Sequence, residues 1–486
     1  MSEIKQALQT HFRKKVPAPP EGRERIKWYG PGLLWMLSAV GTGSILFTPR
    51  VASAYEYQLL WILLIVVFFM WIMIREMARY SIVSGRTMLD GIHSLGGPRD
   101  WAVWIIFIPQ LLAAAVGIAG LSAVVGSALG AFLPGSNTTY AIGMVVLSTL
   151  FTATGRYSLI ESFSRMMALL LMLAAIVTAA IVFSQPSEVA QGLVPSWPAE
   201  PDLYVILPWV GTILAGSMGI VWFGYWTITR GFGGGFEAYE PSDETPQESK
   251  KKHKNIDRET VNRQLSDTRI WIRIMSTTAT IGVVGGLIVI FSFLVLGAEL
   301  LAPEGIMPDG PKVAVDLTNI FSSVWGEFGK YLMLTAIVIA LGGSILANQD
   351  GWGRSFADIT LILIRSKRDS DGSGALIMFF NAIDGKLPWP LFDRRWLKRL
   401  YIVVVTGLIP VFILLLFKDP VQVMSVSGII AAAHTPFIAL TALYVNKSRL
   451  PVSLRPGIFA SVMMGVAGFF YLGFAAFYFF NLLNGS

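Results

Sequence analysis

Polar positions are rare along most of this chain, and they gather between long apolar runs instead of alternating with them. The runs lie at 31–55, 59–77, 101–129, 140–154, 159–183, 207–228, 270–296, 331–347 (or on to 364), 400–417, 421–444 and 459–483. A helix that crosses the ~30 Å hydrocarbon core of a bilayer needs about 20 mostly apolar residues, so these runs predict about eleven spans. Strands of a membrane barrel would alternate over about ten residues, whereas these segments are apolar all round. Backbone groups in lipid must be satisfied within their own segment, which makes each run a helix.

The connections carry a sign pattern. Lys5, Arg13, Lys14, Lys15, Arg23, Arg25 and Lys27 precede the first run, and Arg79, Arg86 and Arg99 follow the second. Arg156 follows the fourth, and Lys250, Lys251, Lys252 and Lys254 follow the sixth. Lys367, Arg368, Arg394, Arg395, Lys398 and Arg399 follow the eighth, and Lys447, Arg449 and Arg455 the tenth. The alternate connections are poor in basic residues: 185–202 has none and 298–324 has only Lys312. Basic loops stay on the cytoplasmic side, so a multi-pass protein of the plasma or inner membrane is expected, with a cytoplasmic N-terminus and an external C-terminus. The organisation expected is a cytoplasmic tail at 1–28 and one transmembrane domain at 29–486. Within it lie a first repeat at 29–184, a second at 205–445, an extra span at 455–483 and a mobile cytoplasmic loop at 230–268.

Composition adds exclusions. Of the 486 residues, 54% are hydrophobic and 14% charged, and the net charge is +7. The lysine run could meet nucleic acid, but a solvated face beside anionic lipid is the better reading. The partners expected are therefore the lipid bilayer and a small solute or cation, and no nucleic acid. A monomer is compatible with the sequence, which sets no oligomeric state. The basic, polar start argues against a cleavable signal peptide. Cysteine is absent, which removes disulfides, thiol catalysis and thiolate metal sites. No Gly-Lys-Ser/Thr phosphate loop and no nucleophile–base arrangement is visible, so neither an enzyme nor a cofactor is expected.

Two runs are interrupted by small residues. The first contains Gly41, Thr42, Gly43 and Ser44, followed by Pro49; the sixth contains Ala215, Gly216, Ser217, Met218 and Gly219. Glycine costs about 1 kcal/mol in a helix relative to alanine, so such clusters mean either close helix packing or an unwound backbone. Interruptions at corresponding positions of two halves are the sequence pointer to the binding site of an inverted-repeat transporter. Candidate substrate-binding residues are thus Gly41, Thr42, Gly43, Ser44, Ala215, Gly216, Met218, Gly219 and Trp222.

At these residues the chain resembles the Nramp family of proton-coupled divalent-metal transporters. Gly30-Pro31-Gly32-Leu33-Leu34 looks like the start of the family's first span, and Tyr57-Gln58-Leu59-Leu60-Trp61 like the start of its second. Val124-Val125-Gly126-Ser127-Ala128, Trp396-Leu397-Lys398-Arg399-Leu400 and Thr435-Pro436-Phe437 are similar to its third, ninth and tenth spans. The resemblance implies the LeuT-like fold, an all-α membrane bundle of two inverted five-helix repeats with spans one and six discontinuous. It also implies symport, metal-cation transport and a site between those spans. The family's first-span motif, Asp-Pro-Gly-Asn, falls on Gly41-Thr42-Gly43-Ser44. Its sixth-span Met-Pro-His falls near Met218-Gly219-Ile220, or one residue later, with no histidine in either register. Acidic residues of its proton route fall on Ala113 and Gly120.

Mn²⁺ and Fe²⁺ need carboxylate or imidazole ligands, and a neutral site leaves a dehydrated divalent ion uncompensated in a low dielectric. No metal ligand is therefore assigned. The expectations are a hydrated or monovalent cation, an amino-acid-like organic solute on the same scaffold, or a membrane sensor that transports nothing.

Five further residues are candidates for coupling or gating, because ionisable groups inside a membrane are functional suspects. Asn348, Asp350 and Arg354 lie in the eighth run, where Asp350 and Arg354 sit one turn apart and could pair. That end could equally protrude into the cytoplasm. Arg50 either snorkels to the outer surface or contacts an anion as an external gate. His434 could titrate near neutral pH or simply pack. Trp222, Tyr225 and Trp226 could line a pocket for an organic solute or serve as packing aromatics.

Overall fold

A computed structural model describes residues 16–39, 41, 43–98, 100–155, 158–214, 216–234, 258–370 and 393–484. Thr42, Ala215, most of the 230–268 loop and the first fifteen residues of the tail lie outside the described residues.

The described residues form helices and no strand. Nine of the helical stretches are long and apolar enough to cross a membrane. They are Leu60–Ser84 (span two), Trp101–Phe132 (three), Ser162–Val182 (five), Leu203–Thr229 (six), Glu259–Leu301 (seven), Gly310–Ile364 (eight), Arg394–Leu416 (nine), Pro420–Arg449 (ten) and Ile458–Asn484 (eleven). The two remaining expected runs are also helical. Span four is Asn137–Thr154, short and rich in threonine. Span one is Gly30–Ala39, then a π-helical turn at Gly43–Phe47, then Thr48–Tyr55. Span eight bends at Gly326, whose φ of 61° breaks the helical path. The family-like all-α membrane bundle is thus present, with its first and sixth spans interrupted.

Burial sorts the spans. In span six 82% of the apolar window is buried, against 28% in spans five and eleven. Span six is therefore the axis of the bundle, and spans five and eleven present leucine, phenylalanine and valine outward. Exposed apolar rings such as Phe163, Phe469 and Phe480 are the expected covering where the solvent is lipid.

The centre is held by close backbone approach and by hydroxyls that satisfy freed backbone groups. A Cβ on Gly43 would lie 2.2 Å from the Thr212 carbonyl oxygen, so the broken parts of spans one and six meet backbone to backbone. The Thr48 hydroxyl donates to the Gly43 carbonyl at 2.7 Å and accepts from Trp209 Nε1 at 3.1 Å. Without it, that carbonyl would be left without a side-chain donor at the break, at a cost of about 1–3 kcal/mol. Thr278 on span seven does similar work at the start of span one: it donates to the Tyr29 carbonyl at 2.8 Å and accepts from Gly32 N at 2.9 Å.

Candidate functional site

Span six stops being helical at Ile213, and its helix resumes at Ser217. Leu214 takes φ +64°, a left-handed conformation that side-chain-bearing residues rarely adopt, and Gly216 is extended. Such a residue costs of order 1–3 kcal/mol and persists where the surroundings dictate it. Here the Leu203–Thr212 half packs on the Gly43 turn, and Ser217–Thr229 begins a second half-helix. The break begins ahead of the small-residue cluster read from the sequence and takes in its Gly216, while Met218 and Gly219 occupy the first turn of the second half-helix.

Both breaks open on one cavity of about 140 Å³. Span one contributes Trp35, Gly41 and Gly43; span six contributes Thr212, Leu214, Gly216, Ser217, Met218, Gly219, Trp222 and Trp226. Span three adds Gln110, Ala113, Gly117, Ile118 and Leu121. Span eight adds Ser344, Ala347, Asn348 and Trp352, and span ten Met424, Ser427 and Ala431. None of these side chains is ionisable. Among the described residues no cluster of three histidines, aspartates or glutamates could hold a metal ion.

The polar groups at the wall are positioned by hydrogen bonds between spans. Gln110 Nε2 donates to Ser217 Oγ at 2.7 Å and lies 2.5 Å from His434 Nδ1. Trp35 Nε1 reaches the Gly219 carbonyl at 3.4 Å, and Ser427 Oγ donates to the Ala113 carbonyl at 3.1 Å. Asn348 Nδ2 donates to the Ser344 carbonyl at 2.8 Å. Trp222 Nε1 donates to Ser355 Oγ at 3.0 Å, and its ring meets Trp352 edge-on at 5.2 Å, which joins span six to span eight at one end of the cavity.

The sequence-derived candidates divide. Gly41, Gly43, Gly216, Met218, Gly219, Trp222 and Asn348 line the cavity. Ser44 is fully buried beside it, with no partner for its hydroxyl. Thr42 and Ala215 lie outside the described residues. His434 does not line the wall but stands behind it through Gln110. Asp350 is turned away: its carboxylate takes Arg354 at 2.6 Å and Lys398 of span nine, an i,i+4 pair plus a cross-span pair. Arg50 is buried at 4% exposure and pairs with Asp309 at 3.3 Å across the start of the span-eight arm. Gln110, Trp35 and Trp352 were not singled out from the sequence, and Ser217 only as a member of the sixth-span cluster. Gln110 could have been, because a lone amide after Pro109 inside an apolar run needs a buried partner.

The Nramp model, described as natural resistance-associated macrophage protein-like, matches residues 32–349. An uncharacterised protein of Pasteurella multocida (strain Pm70) is 23% identical over 359 residues, 70% of this chain and 72% of that one. Among solved structures, a mutant of the Eremococcus coleocola manganese transporter is 15% identical, with a TM-score of 0.60 over 96% of this chain and 89% of that chain. The same transporter in complex with an aromatic bis-isothiourea substituted compound gives 16% identity and a TM-score of 0.60 over 94% and 88%. Mhp1, a nucleobase-cation-symport-1 family transporter, is 13% identical, with a TM-score of 0.50 over 92% of each chain. These structural likenesses establish the fold, the LeuT-like arrangement with its first and sixth spans interrupted. With about two thirds of its length inside the family model, the chain belongs to the Nramp family of membrane transporters.

Proposed function

We propose that this protein is a secondary transporter working by alternating access around the cavity between the two broken spans. The observation that supports it most directly is that both interruptions, on spans one and six, line the same cavity. Unwound backbone at membrane depth is tolerated only where it is buried in protein or lines such a cavity. The site residues are those of the wall: Gly41, Gly43, Gly216, Met218, Gly219 and Asn348.

Family membership makes a metal cation the first cargo to test. The wall argues against a bare Mn²⁺ or Fe²⁺ ion, because hydroxyls, amides, backbone carbonyls and the Met218 thioether bring no negative charge. A hard cation that keeps several of its waters fits better. Mg²⁺ dehydrates reluctantly, and 140 Å³ far exceeds the ~10–15 Å³ that one water requires. A second reading is a small organic solute such as an amino acid. The indoles of Trp35, Trp222, Trp226 and Trp352 at the wall favour it, as does the half-helix N-terminus at Ser217, which suits a carboxylate.

Uptake into proteoliposomes separates the readings. The cation reading expects saturable flux with little preference for Mn²⁺ over Mg²⁺. Tight, Mn²⁺-selective transport would contradict the account of the wall. Stereoselective amino-acid uptake would establish the second reading, and no flux of any of these solutes would remove transport itself.

A further inference from the structure

Gln110 is fully buried on span three and connects the cavity to spans six and ten. Its amide nitrogen has two hydrogens and no acceptor capacity. One hydrogen goes to Ser217 Oγ and the other to His434 Nδ1. Nδ1 is then the unprotonated nitrogen, and the imidazole is neutral with its proton on Nε2. Neither His434 Nε2 nor Gln110 Oε1 has a side-chain or backbone partner at hydrogen-bond distance. Gln110 lines the cavity, and a buried carbonyl without a donor costs about 1–3 kcal/mol until one is supplied.

A proton on His434 inverts this set. Imidazolium places an N–H at Nδ1, which cannot face an amide NH₂. The amide turns over, so that Oε1 accepts from both Nδ1–H and the Ser217 hydroxyl, and the NH₂ takes the place of the free carbonyl. One proton enters, Ser217 changes from acceptor to donor, and no other group changes charge.

We propose that Gln110 and Ser217 are specificity-determining groups of the cavity and that His434 sets their hydrogen-bond polarity. With His434 neutral, the wall offers an acceptor to a cation or a donor-bearing cargo. With His434 protonated, it offers donors, and the cation is excluded. Proton and cation therefore compete here, and the proposal rests on reading the cavity as the cargo site.

The ionisable groups on the elements packed around span ten have other partners or lie elsewhere. Span three carries none within its helix, and span six only Tyr204 and Tyr225. Glu76 of span two pairs with Arg79, while Arg75 lies over the Trp71 ring. On the short helix Met88–His93, His93 pairs with Asp100 and Asp90 bonds Thr87. Tyr80 of span two, Tyr471 and Tyr478 of span eleven and Lys312 complete the set, and Asp419, Tyr444, Lys447 and Arg449 lie toward the ends of span ten itself. None of them acts on the imidazole, which feels burial and backbone alone.

Replacing His11, His93 and His253 by Gln leaves His434 as the single imidazole. Nitrogen-15 NMR of that protein in lipid nanodiscs reads the ring and the Gln110 side-chain amide together. The expected result is the Nε2–H tautomer at high pH, with the Gln110 amide moving over the same pH range as the ring. An Nδ1–H tautomer, or a Gln110 amide that stays still while the ring titrates, overturns the proposal. With Mg²⁺ as the probe, affinity should fall about tenfold per pH unit below the ring's titration and lose that slope in His434→Phe. Affinity that ignores pH in the native protein counts against the proposal. No Mg²⁺ binding at any pH would sink the cation reading of the cavity instead, and the NMR result still decides the switch.

Discussion

Replacing Gly43 by alanine adds one methyl group where spans one and six touch. An ideal Cβ there falls 2.2 Å from the Thr212 carbonyl oxygen and 2.8 Å from its carbon, whereas ordinary contact begins at 3.4 Å. The two broken segments must then part by roughly 1 Å, because the obstacle is backbone and no rotamer relieves it. Overpacking of this kind costs about 1–3 kcal/mol. The same movement pulls on the Thr48 hydroxyl that bridges Gly43 and Trp209. A coupling of 1–3 kcal/mol corresponds to about 5–150-fold in the population of the assembled cavity. The assay is paired: thermal unfolding of detergent-solubilised protein, and flux into proteoliposomes. Gly465→Ala on lipid-facing span eleven is the control, since a Cβ there meets nothing within 4 Å. The expected result is a lower Tm and a 5–150-fold loss of flux for Gly43→Ala, with neither change in the control. Equal behaviour of the two variants would refute the claim that the spans meet backbone to backbone.

Gly41→Asp combined with Ser44→Asn returns the family's first-span ligands to the chain, one of them at the cavity wall, and should produce Mn²⁺ binding measurable by calorimetry. Asp350→Asn should destabilise the protein by about 1–3 kcal/mol in thermal or denaturant unfolding, because it leaves Arg354 and Lys398 sharing a neutral amide. Trp222→Phe removes the bond to Ser355 while keeping a ring against Trp352, and should weaken closure between spans six and eight, read as faster labelling of a cysteine at Ala347. Outside the spans, the Glu188 carboxyl is pushed up by partial burial and then by the charges of Glu56 and Glu299. Its folded form binds protons more readily than its unfolded form, so its contribution to stability is present below the unfolded pKa and lost as pH rises through the folded one. Tm should therefore rise on mild acidification, and Glu188→Gln should flatten that slope.

The spans were legible because hydrophobic length and basic loops are properties of the sequence itself. Breaks in spans one and six were legible as glycine clusters at matching places in two halves. The start of the second break was not, because the residue that turns the chain is Leu214, a strong helix former, ahead of the Gly216 that the sequence pointed to. Its left-handed backbone follows directly on the half-helix whose Thr212 meets Gly43. The wall was legible only where it belonged to the broken spans. Gln110 meets Ser217 and His434 across 107 and 324 residues of sequence, distances over which periodicity carries no information. Depth was equally hidden for the charges. Asp350 read as an intramembrane carboxylate, and its salt bridge to Lys398, 48 residues on, turns it from the cavity. Arg50 read as a snorkelling or gating cation, and Asp309 reaches it from the arm before span eight.

The central claim is that cargo passes through the cavity between spans one and six, reached from one side of the membrane at a time. The natural chain has no cysteine, so Ala347→Cys places a single thiol on the wall, at a residue exposed to the cavity. Membrane-impermeant maleimide, applied to sealed proteoliposomes from outside and from within, reports which side reaches it. The account predicts labelling from both sides over time, blocked by a saturating cargo and never simultaneous in a protein locked in one state. A thiol that reacts from neither side, or from one side only whatever solute and pH are applied, would contradict it.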